Sequence, residues 1–173
     1  DAWKEALERT DHPDGSLEAE VVSMRERLNI DADLMREIIL GCESDLKPQR
    51  FGTWEDLQKY SFRVASAVGL ILIPLLGASD RTRDYSISLG HALQLTNIIR
   101  DVGEDLENGV RIYLPLADLH RFQYTERDLI GRVYDGRFLA LMNFQADRAE
   151  QLFHQTMSLL PDEDRKAMRA AEV

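Results

Sequence analysis

The chain has 173 residues, 44% of them hydrophobic, and no Gly-, Ser- or Pro-rich tract, so it is long enough and apolar enough to bury a core. Its 31 acidic residues against 21 basic ones give a net charge of −10, which disfavours nucleic acid and an anionic membrane surface as partners. The single cysteine, Cys42, has no internal disulfide partner, and a reducing, cytoplasmic location is expected.

In chain order, residues 1–9 predict a helix, and Asp11-His-Pro-Asp-Gly15 a turn. Leu17, Val21, Met24 and Leu28 fall at spacings of three and four and predict an amphipathic helix, broken at Asn29 to Asp31. A second such helix runs from Asp33 to about Leu46 and is ended by Lys47-Pro48-Gln49-Arg50. Thr53-Trp-Glu-Asp56 reads as a capping box, opening a helix through Tyr60 and Gly69 towards Leu76. The longest apolar run, Val64 to Leu76, is shorter than the ~18 residues of a membrane span and contains Pro74. It therefore reads as a buried helix, and no transmembrane segment is expected. The residues at the start, Asp1-Ala-Trp-Lys-Glu, lack the charge and apolarity of a signal peptide.

A further helix spans about 82–107. Thr125-Glu-Arg-Asp128 repeats the capping pattern before a short helix ending near Gly131. Gly136 to Leu160 follows, with Phe138, Leu141, Phe144, Ala149 and Leu152 among its apolar face, and Pro161-Asp-Glu-Asp164 opens one more. No period-two segment is present, so the fold class expected is all-α, with helices around a central core or cavity.

Two of these helices carry candidate chemistry. Asn97, Asp101 and Asp105 lie four residues apart, and each step drifts by only about 40°, so their oxygens form one stripe that Gln94 joins. Carboxylates on successive turns repel, and a divalent cation removes that repulsion. Oxygen donors without Cys or His suit Mg²⁺, with Mn²⁺ as the alternative. A solvated acidic face has the same spacing, so the pattern by itself leaves both readings open. An EF-hand loop does not fit, because Val110 or Leu106 stands where glycine is required. On the other helix, Tyr60, Val64, Ala65, Val68, Gly69, Leu72 and Leu76 share one side, and several are small. Either tight helix packing or a tunnel wall with Tyr60 at its polar mouth accounts for them.

These stretches carry a resemblance. LGHALQLTNIIRDVGED followed by RIYLP resembles the second aspartate-rich signature of the squalene/phytoene synthase family. YSFRVASAVGLILIPLLG is similar to that family's tyrosine-led V-A-x-x-V-G-L segment, and GCESDLKPQRF to its G-M-x-M-D-L region, where Asp45 is read as structural. The similarity runs from about Leu34 to Ala171. Ser61-Phe62 and Ser66-Ala67 depart from the Cys-Tyr and Gly-Thr of the pattern, and Gly109-Val110-Arg111 is one residue longer than its Gly-Arg.

The resemblance implies an isoprenoid-synthase-type helical bundle around a central cavity, in one domain over 1–173. That domain is expected to be partial, without the first aspartate-rich motif (Asp11 and Asp14 have the wrong spacing) and without the last helices. It implies Mg²⁺-dependent head-to-head condensation of two prenyl diphosphates, farnesyl or geranylgeranyl, to presqualene/squalene- or phytoene-type products. NADPH enters only if the product is squalene. Because the stripe and a diphosphate are both anionic, metal would have to bridge them.

By the same resemblance Asn97, Asp101 and Asp105 hold metal, and Tyr60, Asp101, Asp105 and Tyr113 serve catalysis, the tyrosines by orienting the leaving group or moving a proton. Substrate contacts fall to Tyr60, Val64, Ala65, Val68, Gly69, Leu72, Leu93, Gln94, Arg100 and Arg111. Arg100 points away from the stripe and has a neighbouring carboxylate as its alternative partner. His91 is expected near the stripe's face as a packed or surface side chain rather than a ligand, and Glu104 and Glu107 on the solvated side. Peripheral membrane contact for product release is compatible with this reading, and oligomeric state is left open. The competing class is a non-catalytic helical protein that binds isoprenoid or lipid, or serves as a scaffold.

Overall fold

The computed structural model describes residues 2–9, 12–13, 15–109 and 111–169, and the described residues are helical with no strand. Asp11 and Asp14, on which the first expected turn rests, lie outside them. The helices are α1 (Ala2–Glu8), α2 (Leu17–Arg27), α3 (Ala32–Ser44), α4 (Trp54–Ser61), α5 (Ala67–Leu76), α6 (Arg83–Glu107), α7 (Leu116–Arg121), α8 (Glu126–Ile130), α9 (Gly136–Leu159) and α10 (Arg165–Met168).

Local chemistry sets most of these boundaries. Asn29, at φ 51°, leaves the helical region after α2, and the Asp31 carboxylate then caps α3. Thr53 and Thr125 each accept from the backbone N–H three residues on, while Asp56 and Asp128 reach back to the cap N–H, completing both capping boxes. α5 runs through Pro74 and stops at Gly77, whose φ of 74° only glycine takes up without cost.

Four findings depart from the sequence expectation. α4 and α5 are joined by a π-helical turn, Phe62–Ser66, where one unbroken α-helix was expected. It lies where α6 comes closest: a Cβ built on Gly90 would stand 2.6 Å from the backbone N and Cα of Ser66. The Ser66 hydroxyl also donates to the Ile87 carbonyl at 2.9 Å. The insertion thus sits at a tertiary contact. Second, Trp54–Leu76 forms 23 continuous helical residues, and its most apolar 18-residue window, of mean hydropathy 1.4, is only 33% buried, so the helix expected to be buried is so only in part. By length and composition alone it is long enough to cross a membrane, a test that core helices also pass. Third, α2 buries none of its residues; Leu17, Val21 and Met24 line a shallow surface groove. Fourth, α7 was not foreseen. It is fixed by the nearly buried Asp118, which accepts from Gln145 at 2.9 Å and Arg148 at 2.6 Å on α9.

The main core lies between α4, α6 and α9 and is closed by the chain from Ile112 to Leu129; Leu57, Leu95, Leu114, Leu119, Tyr124 and Leu141 are among its buried residues. A second cluster, Leu34, Ala67, Leu70 and Ile73, joins α3 to α5. α6 is therefore held on one side by α9 and on another by the π turn and α5.

Candidate functional site

α5 and α6 are joined through Gly77–Thr82 and run antiparallel, since Ser66 meets Gly90 while Gly69 lies against Ser86. Between them is an apolar trough of about 510 Å³. Val64, Ala65, Val68, Gly69, Leu72 and Leu76 form one wall. Ser86, Leu89, Gly90, Leu93, Gln94 and Asn97 form the other, and Met168 closes one end. The small residues Ala65 and Gly69 leave room, and Val68, Leu72 and Leu93 keep more than a third of their surface exposed. Apolar surface held open beside a core is what a hydrophobic ligand requires.

All of Val64, Ala65, Val68, Gly69, Leu72, Leu93, Gln94 and Asn97 thus lie on one trough. Ser86 and Leu89 were legible by stepping back in threes and fours from Leu93. Met168 carried no such signal, because it comes from a short element far along the chain.

The polar end of the trough is Gln94 and Asn97, and α6 continues from there to Asp101 and Asp105. Asp101 accepts from Nε and Nη2 of Arg100, both at 2.6 Å, and that pairing holds its carboxyl below the usual value. Arg100 therefore takes the carboxylate as its partner. Burial pushes Asp105 up, the Asp101 charge adds to this, and Arg111 opposes it. No cluster of three or more His, Cys, Asp or Glu is disposed to hold a metal ion among the described residues. What α6 offers is two carboxylates and an amide on one side. Their oxygen chemistry fits a hard divalent cation, and a cation there would offset the charge that burdens Asp105.

Tyr60, Tyr113 and Arg111 do not line the trough. They converge on Asp45, beside the C-terminal end of α3. The Tyr60 hydroxyl donates to both Asp45 carboxylate oxygens at 3.0 and 2.9 Å, and the Tyr113 hydroxyl to one of them at 3.2 Å. Arg111 Nη2 donates to the Asp45 carbonyl at 3.3 Å. Phe51, Tyr60 and Tyr113 pack ring against ring, with Tyr60 and Tyr113 centroids 5.4 Å apart. Burial, before any neighbouring charge, raises both phenols. Both hydroxyl protons are engaged by Asp45, so what the tyrosines can present to a ligand is oxygen lone pairs.

Asp45, expected as structural, thus ties Tyr60 and Tyr113 together through its carboxylate. Its partners lie 15 and 68 residues away, so no spacing rule could find it. His91 is packed as expected, but on a different face: it lines a separate groove with Glu37, Lys59 and Arg63, its Nδ1 has no partner among the described residues, and burial lowers its pKa. Glu104 and Glu107 are exposed, and Glu107 pairs with Arg132 at 2.5 Å.

A family model described as squalene/phytoene synthase matches residues 1–173. The chain is 40% identical over 171 residues to the 15-cis-phytoene synthase of Synechococcus elongatus, covering 90% of this chain and 55% of that protein. With the chloroplastic phytoene synthase 1 of Zea mays the identity is 34%, over 90% of this chain and 40% of the relative. The crystal structure of squalene synthase HpnC from Alicyclobacillus acidocaldarius superposes with a TM-score of 0.83 at 27% identity, covering 98% of this chain and 66% of that one. A ligand complex of a dehydrosqualene synthase gives a TM-score of 0.75 at 30% identity, over 89% and 56%. The chain spans about half the length of the curated relatives it matches.

Proposed function

The chain belongs to the squalene/phytoene synthase family, and we propose that it takes part in the head-to-head condensation of two prenyl diphosphates, C15 or C20. The observation that carries this reading is the continuity along α6: an apolar trough ends at Gln94 and Asn97, and the same helix then presents Asp101 and Asp105. A prenyl diphosphate has that polarity, an apolar tail on an anionic head.

The trough shelters the tail and the cationic carbons from water. Gln94 faces the junction between tail and head. Arg111, and Arg100 when it turns from Asp101, donate to diphosphate oxygens, where guanidinium hydrogen bonds are strong and favour charge that develops on departure. Asp45 fixes Tyr60 and Tyr113 with their hydroxyl protons directed at itself, leaving lone pairs to meet positive charge on the substrate. In the reaction, the allylic C–O bond of one substrate breaks with loss of diphosphate. The double bond of the second captures the cation, and proton loss closes a cyclopropane. Asn97, Asp101 and Asp105 would hold Mg²⁺, with Mn²⁺ as a substitute, and bound metal supplies Lewis-acid stabilisation of the leaving diphosphate.

A second reading is a non-catalytic isoprenoid-binding protein, which the apolar trough would serve equally well. Incubating the chain with labelled C15 and C20 diphosphates, with and without Mg²⁺ and NADPH, separates the two. The enzymatic reading expects Mg²⁺-dependent binding followed by turnover; tight binding without product supports the second. Asp101→Ala is expected to abolish the Mg²⁺ dependence while leaving far-UV helicity unchanged. Wild-type Mg²⁺ dependence in that variant would overturn the metal role.

A further inference from the structure

The end of the trough away from Asn97 is closed by a side chain from neither wall. Met168 of α10 is 2% exposed; it clusters with Tyr85 and Leu160, against Leu76 of α5 and Leu89 of α6. α10 has four residues, too few to hold a position by helix formation alone. What holds it is Asp164, in the turn that leads into it. This nearly buried carboxylate accepts from the Ser79 N–H at 2.9 Å, the Ser79 hydroxyl at 2.6 Å and the Thr82 hydroxyl at 2.8 Å. Ser79 and Thr82 belong to the connection between α5 and α6, so the clamp fastens α10 to the hinge of the two trough walls. Outside it, Arg81 pairs with Glu163.

Met168 also borders the open trough, together with Leu76 and Leu89. From Asn97 back to Ser86 the trough extends about 16 Å along α6 at the helical rise. A tail whose head lies at Asn97 points its last isoprene unit at Met168.

We propose, on the reading that the trough holds a prenyl tail, that Met168 is the end stop that sets tail length and that Asp164 is the positioning residue holding it there. The stop is soft. Methionine is unbranched and has several rotatable bonds, so it yields to a longer tail at a cost in affinity and does not exclude it outright.

The test is equilibrium binding of C10, C15 and C20 prenyl diphosphates to the full chain, followed by titration calorimetry, so that no turnover is needed. Met168→Ala is expected to raise the C20-to-C15 affinity ratio by about ten-fold, the scale on which apolar pockets discriminate small changes in length. Met168→Phe should move the ratio the other way, which keeps the test open if the alanine variant does not fold. Met168→Leu should stay close to wild type. Asp164→Asn, with Met168 intact, should flatten the length profile. A wild-type profile in folded Met168→Ala or Met168→Phe overturns the end stop, and a wild-type profile in Asp164→Asn overturns the positioning role. Failure of the wild type to bind any of the three overturns the tail-binding reading itself, a different result from unchanged length selection.

Discussion

α6 presents one side to α9 and another to α5, and only the first is filled. Towards α9, Leu95 and Ile98 are buried with Leu141 and Ala149, and the Ser88 and Thr156 hydroxyls meet at 2.6 Å. Towards α5, Leu93 is 46% exposed and the apolar side chains stand apart around the trough. Complementarity distinguishes the two sides: large side chains are buried against α9, whereas Ala65, Gly69 and Gly90 border the trough with little or no side chain. One side of the helix stabilises the fold, and the other stores apolar surface for a ligand.

The contrast breaks if the two leucines respond alike. Leu95→Ala removes a fully buried side chain from a packed interface and is expected to cost about 3 kcal/mol of unfolding free energy. Leu93→Ala should stay within about 0.5 kcal/mol, because its side chain has little packing to lose, yet weaken binding of a prenyl tail. Chemical denaturation of both variants, with and without ligand, reads the two effects. Equal destabilisation would mean that the trough is ordinary core.

Gly90→Ala should come next, at about 1–3 kcal/mol. The added methyl would meet the Ser66 backbone, which is part of the π turn and cannot rotate aside as a side-chain tip would. If thermal melting shows no loss, the close approach of α6 to the π turn is not what fixes the register of α5 against it.

The same contrast explains how far the sequence can be read. The limits of α6, the capping boxes at Thr53 and Thr125, and the common face of Val64, Val68 and Leu72 are local facts, set by residues within a turn or two of one another. The trough followed because small residues at helical spacing can be seen without coordinates, although spacing alone could not separate a tunnel wall from tight packing. The π turn could not be read, since it lies at a contact between Ser66 and a glycine on another helix. Nor could α7, which starts after Pro115 with no cap of its own and is fixed by Asp118 reaching Arg148 on α9. Asp45 and Met168 acquire their places from partners far away in sequence. Interior contacts between distant elements are where the reading stopped, and they supply both the tyrosine anchor and the closed end of the trough.

The smallest expected effect concerns that closed end. Hydrogen bonds from the Ser79 hydroxyl, the Ser79 N–H and the Thr82 hydroxyl, in that order, lower the Asp164 pKa, and Arg81 adds to this. A carboxyl whose folded pKa lies below its unfolded value contributes stability that is fully present above the unfolded value and is lost as pH falls through the folded one. The groups facing Asp164 from the neighbouring connection are Ser79, Thr82 and Arg81, of which Arg81 alone is charged and is paired with Glu163. Unfolding followed between pH 6 and pH 2 should therefore show a steeper wild-type loss of stability in the acid limb than Asp164→Asn shows, the variant being the less stable of the two at pH 6. If the two curves stay parallel throughout, protonation of Asp164 does not release α10, and the end of the trough is held by the packing of Met168 against Leu76, Leu89 and Tyr85 alone.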